Sequence, residues 1–184
     1  EWVQEAKKRG LYNLRSTPEA LACFTSRKNL ELFTRHHIFT EQEIISRYEI
    51  LLENYCKTIH IEAKTMQDMV RSQFLPALRC YIDQITGSIR GIKAVSAALP
   101  SAASEKLLAV LCDSYERICD AEEHLEADTK NAEGIDDMQE AAFFCHSTLI
   151  PRMEALRATA DDAERYLPEN LLPYPSYEKL FFCV

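Results

Sequence analysis

A chain of 184 residues with a formal charge of -8 is long enough for one core of ordinary size. Its excess of carboxylates excludes the cation-rich surface on which nucleic-acid binding depends. Four glycines and seven prolines are too few for the frequent turns of an all-β chain, and the abundance of Ala, Leu, Glu and Lys makes all-α the expected fold class.

In chain order, WVQEAKKR at residues 2–9 reads as a short helix that Gly10 closes in a left-handed conformation. Thr17 is the expected cap of a second helix with Pro18 at its first position, and Ser26 the cap of a third through RKNLELFTRHH. At Thr40 the signal changes, because Thr40 and Glu43 match the reciprocal capping box and a long helix follows. Tyr48, Leu52, Tyr55, Ile59, Met66 and Met69 form one apolar stripe along it, interrupted at Glu62. Pro76 predicts a kink or break near residues 72–76, since its ring would meet the carbonyl of Ser72.

A second stripe, Leu78, Tyr81, Ile85, Ile92, Val95 and Leu99, continues to Pro100, and Gly87 with Gly91 suggests close backbone packing. Over residues 101–129, Leu108, Leu111, Tyr115, Ile118 and Leu125 repeat in steps of three and four with Glu122 in the one missing position, the pattern of a bundle seam. KNAEG is the expected short connection to a last long helix over 135–166, with a local bend at Pro151. After Leu167, PENLLPYPSYEKLFFCV is expected to be an extended Pro/aromatic tail. Tyr174, Tyr177, Phe181 and Phe182 in it are candidate interaction residues, because an apolar tail on an acidic protein favours docking in a groove of this or a neighbouring subunit.

The expected architecture is therefore an elongated bundle of long antiparallel helices with short N-terminal helices. Residues 1–75 hold the short helices and the first long helix, 76–167 the bundle and 168–184 the tail. The seven cysteines are odd in number and never form CxxC, which reads as reduced, buried thiols in a cytoplasmic chain. No apolar run is long enough to span a membrane, no export leader opens the sequence, and Glu1 in place of Met suggests a segment of a longer polypeptide.

Residues for catalysis do not converge. Glycine-rich phosphate loops, HExxH and GxSxG are all missing from the sequence. His60, His124 and His146 are preceded three residues earlier by Lys57, Ala121 and Phe143, which removes the Glu-x-x-His pattern of di-iron bundles. His36 and His37 point about 100° apart on a helix and read as a helix end rather than a metal site. Asp136, Asp137, Asp161 and Asp162 read as solvated faces, and Glu122 and Glu123 as surface or seam-specifying carboxylates. Arg47, Glu49 and Glu53 can pair with each other or meet a partner. Catalytic, cofactor and metal residues are therefore expected to be none, with an enzyme built on Glu122 or His146 as a remote alternative.

Three stretches carry a resemblance. EWVQEAKKRGLYNLRSTPEAL leading into SRKNLELFTRHHIFTEQEIISRYEILLENYCKTIHIEAKTMQDM, then LIPRMEALRATADDAERYL, then LPYPSYEKLF, together resemble the C-terminal region of type III glutamine synthetases, the large bacterial glutamate–ammonia ligases. The stretches cover about half the chain. At His37 and Ile38 the family usually has Gly and Val before Phe-Thr. The resemblance implies a parent enzyme that makes glutamine from glutamate, ammonia and ATP with Mg2+ or Mn2+, assembled as hexameric rings. Its glutamate, metal and nucleotide residues would all precede Glu1. The cofactors expected of this segment itself are none, and its expected partners are the catalytic domain of the same chain and neighbouring subunits. The competing class is a free-standing helical interaction or metabolite-binding module.

Overall fold

The computed structural model describes residues 1–175 and 177–182, and every regular element among them is helical. Two compact units divide the chain. The first takes Glu1–Ile61 and Asn131–Ile150; the second takes Glu62–Lys130 and the described residues from Pro151 onward.

The first unit opens with α1 (Trp2–Lys8), and its end shows why Gly10 is needed. Gly10 sits at φ +76° while its N–H donates to Lys7 O and the Leu11 N–H donates to Ala6 O at 2.9 Å. That pair of bonds satisfies the last free carbonyls of the helix and demands a left-handed residue. Helix α2 (Thr17–Phe24) is capped one residue earlier than expected: Ser16 Oγ accepts from the Glu19 N–H, and the Glu19 carboxylate accepts from the Ser16 N–H in return. Thr17 is already helical, because the capping box needs its glutamate three residues on and only Ser16 has one.

Helix α3 (Arg27–Arg35) ends like α1 but without glycine. His37 stands at φ +53°, its N–H donating to Thr34 O while the Ile38 N–H reaches Phe33 O at 2.9 Å. The turn geometry thus survives the exchange of glycine for histidine, at the cost of the left-handed strain of an L-residue.

Helix α4 (Glu41–Met69) starts where the capping box places it. The Thr40 N–H donates to Glu43 Oε2 at 2.7 Å and the Glu43 N–H donates to Thr40 Oγ1 at 3.3 Å. Ile44, Leu52 and Ile59 are its buried contributions to the first unit, with Ala141, Ala142, Cys145 and Leu149 from the chain's later return. In the second unit the buried face continues through Ala63 and Gln67, so Met66 is half-buried and Met69 exposed. The stripe read from sequence drifted there because the actual seam uses small and polar residues.

Pro76 does not break the helix. A π-turn at Val70–Phe74 precedes it, with the Leu75 N–H donating to Val70 O, and α5 (Leu75–Val95) continues directly. Widening the ladder to i→i−5 shifts the backbone ahead of the proline ring, relieving the clash that a regular helix would suffer. Pro151 repeats the device. Helix α6 (Ala102–Glu133) and α7 (Met138–Phe144) are followed by a π-turn at Cys145–Leu149, where the Ile150 N–H donates to Cys145 O, and Pro151 is the second residue of α8 (Ile150–Glu164).

Because α6 runs on to Glu133, KNAE is helical and the connection begins at Gly134. Gly87 and Gly91 are exposed, and an added Cβ would meet nothing within 4 Å at either. The close packing expected there is absent among the described residues.

Within the second unit, pairs between the α4–α5 rod and α6 fix an antiparallel register: Gln67 with Thr129, Arg71 with Glu126, and Lys93 with Glu105. Partners descend along α6 as they ascend along the rod. Leu78, Leu111, Ile118, Leu125 and Leu156 are all fully buried, each contributing about 1.5–3 kcal/mol relative to exposure. Arg152 Nε donates to Asp128 Oδ2 at 2.7 Å, which brings α8 onto α6.

The tail departs from a uniformly extended segment. A 3-10 turn at Glu169–Leu171 and α9 (Tyr177–Phe182) interrupt it, and Lys179 Nζ lies 2.9 Å from Glu169 Oε1. Among the described cysteines only Cys145 is buried; Cys80 and Cys112 are exposed, and Cys183 lies outside the described residues.

Candidate functional site

Two kinds of surface stand out, an uncovered apolar face in the first unit and a polar seam in the second. In the first unit, α3 is amphipathic and yet has no fully buried residue. Phe24, Phe33 and Phe39 form a chain of tilted rings 5.8 and 5.9 Å apart, and each is only half-buried. Arg47 lies 4.6 Å over the Phe39 ring and so is engaged by an aromatic face rather than by Glu49 or Glu53; Glu53 pairs instead with Lys57 at 2.7 Å. In the same unit Trp2, Leu11, Tyr12, Leu32 and Ile38 are all exposed, Tyr12 by 82%. Scattered exposed apolar residues are ordinary, and of these five only Trp2 and Leu32 lie on helices.

In the second unit the seam position left open by the leucine repeat is filled by Glu122, whose side chain is 7% exposed and whose Oε1 lies 2.7 Å from Arg71 Nη2. Arg71 also bonds Glu126, which pairs on its other oxygen with Lys130 at 2.7 Å. Glu126 and Glu122 together hold the Arg71 guanidinium more firmly charged than usual, and Lys130 with Arg71 lowers the Glu126 carboxyl. One turn along, Gln67 Nε2 donates to Thr129 Oγ1 at 2.9 Å, and Thr129 Oγ1 donates to Leu125 O. The sequence offered no way to choose Arg71 as the partner of Glu122. The signal for Gln67 was the i, i+4 continuation from Ala63, which a search for large apolar residues passes over.

The remaining candidates disperse. Asp137 caps α7 by accepting from the Glu140 N–H at 2.7 Å. Asp161 pairs with Arg157, and Asp162 with Arg165. His146 lies in the second π-turn near Glu19, whose carboxyl is lowered first by the Arg15 N–H and slightly by His146. His60 Nε2 sits 3.1 Å from Glu133 Oε1.

Among the tail residues, Tyr174 is half-buried and its phenol donates to Met69 O at 3.0 Å, burial raising its pKa. Phe181 and Phe182 are each 78% exposed, and the Tyr177 side chain lies outside the described set. Tyr174 is therefore brought onto α4.

Among the described residues no three His, Cys, Asp or Glu side chains are arranged to hold a metal ion, and no helix is long and apolar enough to cross a membrane.

Residues 1–93 match the sequence family described as Glutamine synthetase C-terminal domain. Across 99% of its length the chain is 42% identical to a glutamine synthetase of Butyrivibrio fibrisolvens, covering 26% of that protein. It is 32% identical to the type-3 glutamine synthetase of Dictyostelium discoideum and 26% identical to a glutamine synthetase of Bacteroides fragilis, covering 25% and 26% of them. The chain thus spans about a quarter of the length of these relatives.

Proposed function

Because the chain belongs to the glutamine synthetase C-terminal domain family, we propose that it is the non-catalytic helical segment of a type III glutamine synthetase. The parent enzyme makes glutamine from glutamate, ammonia and ATP with Mg2+ or Mn2+. In this reading residues 1–75 pack toward the catalytic domain of the same polypeptide, residues 76–167 form a bundle serving ring assembly or regulation, and the tail from residue 168 engages a neighbouring subunit in the cytoplasm.

The observation that carries the reading is α3, an amphipathic helix with no fully buried residue, in a unit that also exposes Trp2, Leu32 and Ile38. Short helices of this kind gain stability from tertiary packing rather than from propensity, so their apolar faces require cover. A relative about four times longer than the chain has the material to supply it. The same geometry disfavours a free-standing module, which would have to keep that face in water.

Two measurements test the proposal. The 184-residue chain alone should form no glutamine, whereas the full-length protein should. In the full-length protein, Leu32→Asp with Ile38→Asp should lower the melting temperature, because each places a charge in an apolar contact within the chain. Turnover by the isolated chain, or an unchanged melting temperature of the double variant, would overturn it.

A further inference from the structure

We propose that a cleft between α6 and α8 in the second unit binds a small hydroxylated dianion, of the class of phosphate esters and hydroxy-dicarboxylates. Arg117, Asp120 and His124 reach it from α6, and Arg152 and Thr159 from α8, around a space of about 290 Å³. That volume suits a ligand of roughly ten heavy atoms, at the small end of ligand clefts.

The spacing explains the cleft. Arg117, Asp120 and His124 are separated by three and four residues and so share one helical face, and Arg152 and Thr159 are seven apart on the facing helix. Ala121 and Ala155 also line it, and their small side chains leave room among the longer ones.

The donors are unequal in a useful way. Arg152 is held in place by Asp128, whose carboxylate is 17% exposed and accepts from Nε at 2.7 Å. That bond uses one edge of the guanidinium and leaves the remaining Nη hydrogens for another acceptor. Arg117 and His124 make no ion pair or hydrogen bond among the described residues, so their donors are available.

Charge then selects the ligand. Asp128 already offsets Arg152, and Asp120 lines the cleft together with Arg117, so a bare anion meets repulsion as well as attraction. A ligand that presents two negative charges to Arg117 and Arg152 and a hydroxyl to Asp120 gives a partner to each of these three groups. On a chain of net charge -8 such a site discriminates by hydrogen-bond pattern rather than by general potential.

Methyl NMR of the 184-residue chain, labelled at Ala and Thr, tests this with glycerol 3-phosphate, malate and sulfate as probes. The Ala121, Ala155 and Thr159 methyls should shift and saturate with a Kd on the order of millimolar for at least one hydroxylated probe. Glycerol 3-phosphate and malate separate the phosphate and carboxylate sources. Sulfate, which lacks a hydroxyl for Asp120, should bind about five-fold more weakly, and Asp120→Asn should narrow that gap. Arg117→Gln, an exposed change that leaves the fold's core methyls unshifted, should weaken binding about five-fold or more. Shifts that stay linear for both hydroxylated probes to about 50 mM, or a Kd unchanged by Arg117→Gln, would overturn the proposal.

Discussion

Arg71→Met should destabilise the chain far more than Glu122→Met, although the two residues form one ion pair. The reason lies in their unequal exposure: the Glu122 side chain is 7% exposed and that of Arg71 46%. Removing Glu122 leaves a cation that still has Glu126 and water. Removing Arg71 leaves a carboxylate in the seam with no cation facing it. Removing one partner of a buried pair costs about 3–5 kcal/mol when the other is left as an uncompensated buried charge.

Glu122→Met, which replaces the carboxylate by an apolar group of similar size, should stay within about 1 kcal/mol. Urea unfolding followed by circular dichroism reads both costs as midpoint shifts at constant slope. Equal costs for the two substitutions would refute the reasoning.

His37→Gly should stabilise the protein by about 1 kcal/mol and raise Tm by about 2–4 °C, since φ +53° strains an L-residue; an unchanged melting curve would contradict it. Gly87→Ala and Gly91→Ala, with nothing within 4 Å of an added Cβ, should each add up to about 1 kcal/mol in the same measurement. Burial and the neighbouring Cys56 thiol push the Cys145 thiol up to about 12, so a disulfide reagent at pH 8 should modify Cys80 and Cys112 quickly and leave Cys145 intact until unfolding; Cys145→Ala should not change the fast amplitude. The same raised value means that Cys145 supports folding fully below about pH 9 and progressively less as pH rises toward 12, because the unfolded thiol ionises first. Urea midpoints across that range check it, and the decline should be shallower in Cys145→Ala.

What the sequence made legible was local chemistry. The Thr40–Glu43 box, the turn at Gly10 and the all-helical composition each depend on residues within a few positions of one another, and each stands as read. Proline positions were legible, but their outcome was not: the clash at Pro76 can be relieved by a kink, a break or a widened turn, and the π-turn that forms has its first and last residues, Val70 and Phe74, both buried. The cap at Ser16 was misplaced by a preference for the residue next to Pro18. The decisive sign was Glu19, three residues after Ser16.

Long-range partners were the illegible part, and the polar seam shows why. Glu122 occupied a gap in a leucine repeat, which marked it as unusual, yet its partner Arg71 is 51 positions away on a helix whose register only packing can fix. That pairing, with Gln67–Thr129 one turn along, also limits how α6 can slide against the α4–α5 rod. A purely apolar seam of leucines tolerates a shift by one heptad; a buried carboxylate does not, because the shifted register faces it with an apolar surface. If the bundle serves assembly, a fixed register matters more than maximal stability, since a neighbouring subunit reads the outer faces of the same helices. Replacing Arg71 and Glu122 together by Met should then leave the chain as stable as the wild type or more so, while the full-length protein assembles less uniformly in light scattering. Equal uniformity with unchanged stability would reduce the pair to a tolerated substitution with no role in register.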